Sequence, residues 1–170
     1  MPVNTRKPPQ AIQQMLLFRV SRFFGAAGGL ATRVCEAEFG VPRREWGVMA
    51  TLATHEGLLS SELAALARLD RARTSRALSR LEERGWVQRT PIQGDRRRIA
   101  VHLTEEGRRM YALILPRMAQ LHTDLVAALD DTELAQFDAM LARLQQQAQS
   151  LEHDSRYAGL PRVERSKGQR

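Results

Sequence analysis

Cysteine is almost missing from this chain: Cys35 is the only one in 170 residues. An intrachain disulfide is therefore excluded, and so is a cysteine-rich zinc cluster. The four histidines, His55, His102, His122 and His153, lack metal-ligand spacing, so no metal is expected. Long apolar runs are also lacking. No segment reaches the roughly 18 apolar residues of a membrane span. The opening MPVNTRKPPQ does not read as a signal peptide. A soluble cytoplasmic protein with no membrane partner is expected. There is no glycine-rich phosphate loop, no nucleophile elbow and no supported carboxylate pair, which argues for a non-enzyme without a cofactor.

Acidic residues are in short supply as well. Nineteen Asp and Glu stand against 26 Lys and Arg, giving +7 and a pI near 10.8. That balance fits a polyanionic partner. The excess is local: residues 57–103 hold ten arginines against Glu62, Asp70, Glu82, Glu83 and Asp95.

The same stretch carries the clearest local structure. A short helix with Leu63, Ala64, Leu66 and Ala67 precedes a second that starts at Asp70, which is placed to cap it. No Gly or Pro interrupts residues 71–84. At about 100° per residue Thr74, Ala77, Leu78 and Leu81 share one face. Arg73, Arg76 and Arg80 cluster on the other, with Ala72 and Ser79 beside them. A merely solvated stripe would carry acids four residues away, yet only Glu83 joins this face. Gly85 stops the helix. Residues 86–90 and 99–103 alternate as two strands, with Ile99, Val101 and Leu103 on one face. Residues 91–95 form the turn between them, and Arg96, Arg97 and Arg98 sit at the tip. An arginine on a thin tip is shaped to enter a minor groove, and Asp95 is placed to aim it. This layout is a winged helix-turn-helix, a DNA-reading module.

The run LARLDRARTSRALSRLEERGWVQR, followed by DRRRIAVHLTEEG, resembles the MarR family of bacterial transcription regulators. The matching pieces are Asp70-Arg71 at the recognition helix, Leu81-Glu82-Glu83-Arg84-Gly85 at its exit, Asp95-x-Arg97 in the wing, and Leu103-Thr104-x-x-Gly107. The likeness extends more loosely over residues 11–150. It implies double-stranded DNA as partner, a homodimer and, by the family's default, a repressor. Expected DNA contacts are Arg71, Ala72, Arg73, Thr74, Ser75, Arg76 and Arg80 on the helix. Asp95, Arg96, Arg97 and Arg98 are expected in the wing. By resemblance Arg97 enters the minor groove and Asp95 orients it. Arg98 departs from the pattern, since relatives carry a small residue there, and this leaves open which wing arginine reads.

The rest of the chain is expected to be mainly α. Residues 1–10 read as a disordered N-terminus, residues 11–40 and 104–151 as a helical dimerisation region, and residues 152–170 as a flexible basic tail without helical periodicity. Residues 41–103 form the winged helix-turn-helix with its small β-hairpin. A long first helix spans about residues 11–38, with Ile12, Met15, Leu16, Phe23, Ala26, Leu30 and Val34 on one stripe and Arg19 in its midst. A charge there needs a partner, a route to water, or an anionic ligand. Gly25, Gly28 and Gly29 each cost about 1 kcal/mol relative to Ala, which implies close approach of another backbone, a bend or room for a ligand. Pro42 fits the first turn of a second helix ending near Thr54, with Trp46, Met49, Ala50 and Ala53 inward. Thr104 caps the next helix, which Pro116 should kink or split near Leu115. Asp130-x-x-Glu133 opens a last helix with the stripe Leu134, Phe137, Leu141, Leu144 and Ala148.

MarR relatives respond to small aromatic acids or phenols, or to cysteine oxidation. For a small anionic aromatic effector, Arg19 is the expected carboxylate partner with Arg22 as fallback. Trp46, Met49, Leu115 and Met118 are the expected walls. For oxidation Cys35 is the sole candidate, and it lacks a resolving cysteine. An effector-independent DNA binder and a module for an acidic protein partner are the rival readings.

Overall fold

The computed structural model describes residues 7–67, 69–92 and 95–160, with the backbone alone at 95–97. The chain divides into two compact units, Met1–Leu125 and Val126–Arg170. The first is mainly helical: α1 (Leu16–Arg33), α2 (Arg43–Thr54), β1 (Leu58–Leu59), α3 (Ser60–Leu66), α4 (Arg71–Glu83), β2 (Val87–Ile92), β3 (Asp95–Leu103) and α5 (Glu105–Val126), which ends at the division. The second holds α6 (Asp131–Glu152) and α7 (Ser155–Ala158).

The expected single helix over residues 11–38 is in three pieces. A 3-10 turn, Ile12–Gln14, precedes an extended Met15 (φ −73°, ψ 135°) that supplies no side-chain cap. After α1 the backbone widens into a π-helical turn, Val34–Glu38. Gly40 then leaves it at φ +63°, and the Val41 N–H donates to the Cys35 carbonyl at 3.0 Å. A Cβ built on Gly25 or Gly29 meets nothing within 4 Å, so those glycines admit no close neighbour from the described residues of this chain.

Asp70 caps α4 as its position predicts, accepting the Arg73 N–H at 2.7 Å. Thr74, Ala77, Leu78 and Leu81 are all buried. They meet Val48, Met49 and Leu52 of α2, Leu63 of α3, and Val87, Val101 and Leu103 of the sheet. Of the apolar residues of α3, Leu63 alone is buried, while Leu66 is half-exposed. The end of α4 is a Schellman close. Trp86 N–H donates to the Leu81 carbonyl, Gly85 N–H to that of Glu82, and Gly85 adopts φ +70°.

The inward face of α2 is turned one position from the expected one. Glu45, Val48, Met49 and Leu52 are buried, whereas Trp46, Ala50 and Ala53 are only partly so. Pro42 caps α2 from outside and does not lie in its first turn. The sheet has three strands in the order β1-β3-β2, all antiparallel, where two were expected. Leu58 pairs with Val101 and Leu59 with Ala100. On β3, Val101 and Leu103 are buried as predicted, while Ile99 is 42% exposed. The β2–β3 ladder shifts register between Pro91, opposite Ile99, and Ile92, opposite Asp95. Arg96, Arg97 and Arg98 occupy that shift.

Thr104 joins wing and α5. Its Oγ1 donates to the Gly85 carbonyl (2.7 Å) and accepts the Gly107 N–H (3.0 Å), while its own N–H donates to the Trp86 carbonyl. Gly107 lies so close that a Cβ there would stand 2.0 Å from the Trp86 carbonyl oxygen. The Thr104-x-x-Gly107 spacing is therefore a packing requirement. The expected split of α5 at Pro116 does not occur, and the helix runs through it for 22 residues. Ile114, two residues earlier, is fully buried with Cys35 and Val41, and this anchoring outweighs the hydrogen bond Pro116 cannot donate.

In the second unit Asp130 and Glu133 form a reciprocal capping box. The α6 stripe is exposed at Phe137, Leu141 and Leu144. Where sequence predicts no helix after residue 151, Asp154 caps the single turn of α7 through the Arg156 N–H. Residues 161–170 of the expected basic tail lie outside the described residues.

Candidate nucleic-acid interface

The apolar face of α4 is consumed by the core, which leaves its arginine face outward. Arg71, Ala72, Arg73, Ser75, Arg76 and Arg80 are all exposed. Thr74, named with them as a DNA contact, is not available. It is 2% exposed, and its Oγ1 donates to the Asp70 carbonyl at 3.0 Å, one turn back. Its hydroxyl satisfies backbone within the first turn of α4.

The arginines of this face differ in how they are held. Arg73 Nε pairs with Asp70 Oδ2 at 3.1 Å, both groups being exposed. Arg80 Nη1 pairs with Glu45 Oε1 at 3.1 Å, and Glu45 is 1% exposed. Nearby, Arg89 pairs with Glu82 at 2.7 Å, and Arg84 stacks over the Trp86 ring at 4.9 Å. For Arg71 and Arg76 no ion pair is present among the described residues. In the wing, Arg98 is exposed. The side chains of Asp95, Arg96 and Arg97, and with them the expected orientation of one wing arginine by Asp95, lie outside the described residues.

Sequence reading missed the other wall of this surface. A cleft of 320 Å³ separates α4 from the start of α2 and is lined by Arg43, Arg44, Glu45, Arg73, Arg76 and Arg80, among others. Arg43 also lies over the Phe24 ring at 5.3 Å. The signal was present: residues 45, 48, 49 and 52 keep the i, i+3, i+4, i+7 spacing of one helix face. That spacing puts Glu45 on the buried side.

The residues named for an effector are not brought together within the chain. Arg19 and Arg22 are exposed on α1 and share an open concavity of 370 Å³ with Gln13, Phe18 and Phe23. Arg19 thus reaches water, and the desolvation argument for a counter-ion does not apply to it. Met49 is fully buried in the winged-helix core, apart from the cluster that holds Trp46 and Met118. Leu115 is 42% exposed. Trp46 and Met118 both pack against the cluster of Cys35, Val41 and Ile114. The buried Trp46 Nε1 there has no partner among the described residues.

Cys35 is fully buried, its thiol 3.8 Å from the Met118 sulfur. Burial pushes the thiol above its ordinary pKa, with Arg43 opposing and Glu36 adding to the shift. At neutral pH the thiolate fraction falls, which is the reverse of what an oxidation sensor requires.

Among the described residues no helix is long and apolar enough to cross a membrane, and no group of three metal-ligating side chains is assembled. Comparison with known proteins places the geometry. A MarR family model matches residues 39–98. The transcriptional repressor MprA of Escherichia coli (strain K12) is 29% identical over 162 residues, covering 84% of this chain and 92% of its own. A putative transcriptional regulatory protein for the hcr operon of Thauera aromatica is 32% identical over 108 residues, 64% of this chain and 65% of its own. The structure of CouR from Rhodococcus jostii RHA1, bound to p-coumaroyl-CoA, superposes with a TM-score of 0.70 at 28% identity, covering 80% of this chain and 95% of that one. With its arginine-faced α4, its wing and its Thr104–Gly107 joint, this chain matches the MarR family over residues 39–98 and is similar, over most of its length, to transcriptional regulators such as MprA.

Proposed function

We propose that the chain is a cytoplasmic homodimeric repressor that binds a pseudo-palindromic operator and leaves it when a small anionic aromatic ligand binds. The observation that carries the reading is the outward arginine face of α4, whose opposite side is locked in the core. Arg71, Arg73, Arg76 and Arg80 supply base and phosphate contacts from the helix, with Ala72 and Ser75 between them. Arg96, Arg97 and Arg98 supply the wing, with Asp95 to orient one of them. Two copies set about 10 bp apart would meet successive major grooves. Uncovered apolar side chains on α1, such as Phe23 and Leu16, and on α6, such as Phe137 and Leu144, support a second copy as partner. Aromatic effectors are supported by the p-coumaroyl-CoA bound to CouR. Within this chain the buried Trp46 N–H, unpartnered among the described residues, is a donor such a ligand could engage. Arg19 and Arg22 remain the proposed anion partners, reached from another copy.

Titration of the purified protein against its own upstream DNA, with and without aromatic acids, tests this. Tight binding that weakens steeply with salt and is released by one acid is the expected result. A log–log salt slope of about −0.9 per phosphate contact applies. Arg76→Ala and Arg97→Ala should each weaken operator binding by about 1–3 kcal/mol. Indifference to the whole panel would remove the effector and leave a constitutive DNA binder. A flat salt dependence would favour an acidic protein partner instead.

A further inference from the structure

Glu45 is out of place by composition. Its stripe on α2 otherwise holds Val48, Met49 and Leu52, and a side chain 1% exposed at that position is ordinarily apolar. Its Oε1 accepts from Arg80 Nη1 at 3.1 Å, while its Oε2 is buried with no partner among the described residues. A buried acid with one oxygen unpaired weakens a core. Its position at the base of the arginine-lined cleft gives it another use.

We propose that Glu45 is a positioning residue for DNA recognition, holding Arg80 in one direction so that it reads a base. The inference rests on the DNA-binding reading above. Arg80 is 55% exposed, so it retains N–H donors beyond the one Glu45 engages. A guanidinium fixed from behind by a rigid acceptor keeps a set direction for its planar fork, and direction is what a bidentate base contact needs. A guanidinium without such a tether follows the nearest phosphate and carries no sequence information. Arg73 is tethered only by an exposed cap, Asp70, whereas Arg80 is tethered by a side chain the core immobilises. The reading face thus contains one arginine whose aim is set by α2.

Selection from a random duplex pool, with salt titrations and melting curves, tests the assignment. The set is wild type, Glu45→Met, Glu45→Gln, Arg80→Ala and the Glu45→Met/Arg80→Ala double variant. Glu45→Met keeps side-chain length and removes the acceptor. It should melt near wild type, lose preference at one position per half-site by about tenfold, and steepen the salt slope by about 0.9 as Arg80 moves to a phosphate. Glu45→Gln, which keeps an acceptor, should restore part of the preference. In the Arg80→Ala background Glu45→Met should change neither quantity. An unchanged preference in Glu45→Met overturns the inference. So does an equal loss on preferred and random DNA in both backgrounds, which marks a purely structural role. A wild type that selects no sequence overturns the DNA-recognition reading itself, and is distinguished by appearing before any substitution.

Discussion

Gly107 is where a single atom decides the outcome. A methyl group there would stand 2.0 Å from a backbone carbonyl, which cannot move aside as a side-chain end can. Gly107→Ala should destabilise by about 3 kcal/mol or more. A melting curve should then fall by roughly 6–12 °C for a chain of this size. A variant melting within 2 °C of wild type (~1 kcal/mol) would show that the joint relaxes. Cys35 shows the opposite economy, being enclosed and idle. Its raised pKa and full burial predict slow labelling by iodoacetamide in the native protein and rapid labelling in urea. Native labelling as fast as in urea, with loss of DNA binding after peroxide, would return oxidation to consideration. Both residues stood plainly in the sequence, but there Gly107 was marked only by a spacing from Thr104 that resembles a family's, and the Trp86 carbonyl that explains it is seen only in the fold. The burial of Cys35 depends on Met118, which lies 83 residues away.

Among the elements, α4 was legible because three signals agree: an Asp cap, an unbroken apolar period and a terminal glycine. Where signals conflicted, sequence reading failed. The face of α2 was misjudged because a buried acid at Glu45 looks like a solvent position. β1 has two residues, too few to show alternation. The π turn at Val34–Glu38 has no compositional mark, and Pro116 looks like a break although the packing of Ile114 holds α5 together. The π turn is also tied to α5 by Glu38, whose carboxylate accepts from Arg117 Nε and Nη2, both at 2.7 Å. Those hydrogen bonds hold Glu38 below its ordinary pKa of 4.5. Since the folded value is the lower one, the contribution is present above pH 4.5 and fades as pH falls through the folded pKa. Comparing Glu38→Gln with wild type by melting across pH checks this. The difference should be level at neutral pH and close on the acid side. A gap that instead widens with acid would contradict the pairing.

For the whole molecule, the apolar side chains left exposed on α1 and α6 bear on the proposed dimer. Sequence periodicity placed Phe137 and Leu141 on one stripe, and the resemblance supplied a second copy as the proposed cover. Phe137→Asp should remove about 1.5–3 kcal/mol of apolar burial per copy and so weaken self-association at least tenfold. Sedimentation at micromolar concentration reads this directly. An unchanged mass would mean that α6 does not meet a second copy.

The Thr104–Gly107 joint has a mechanical consequence. It has no slack: a carbonyl seats against a bare α-carbon, and one hydroxyl bridges both sides. α5 is therefore a lever fixed to the wing root. Its 22 residues measure about 33 Å at 1.5 Å per residue. Turned by about 5° around its far end, it would carry the wing root by about 3 Å, close to the ~3.4 Å axial rise per phosphate of one DNA strand.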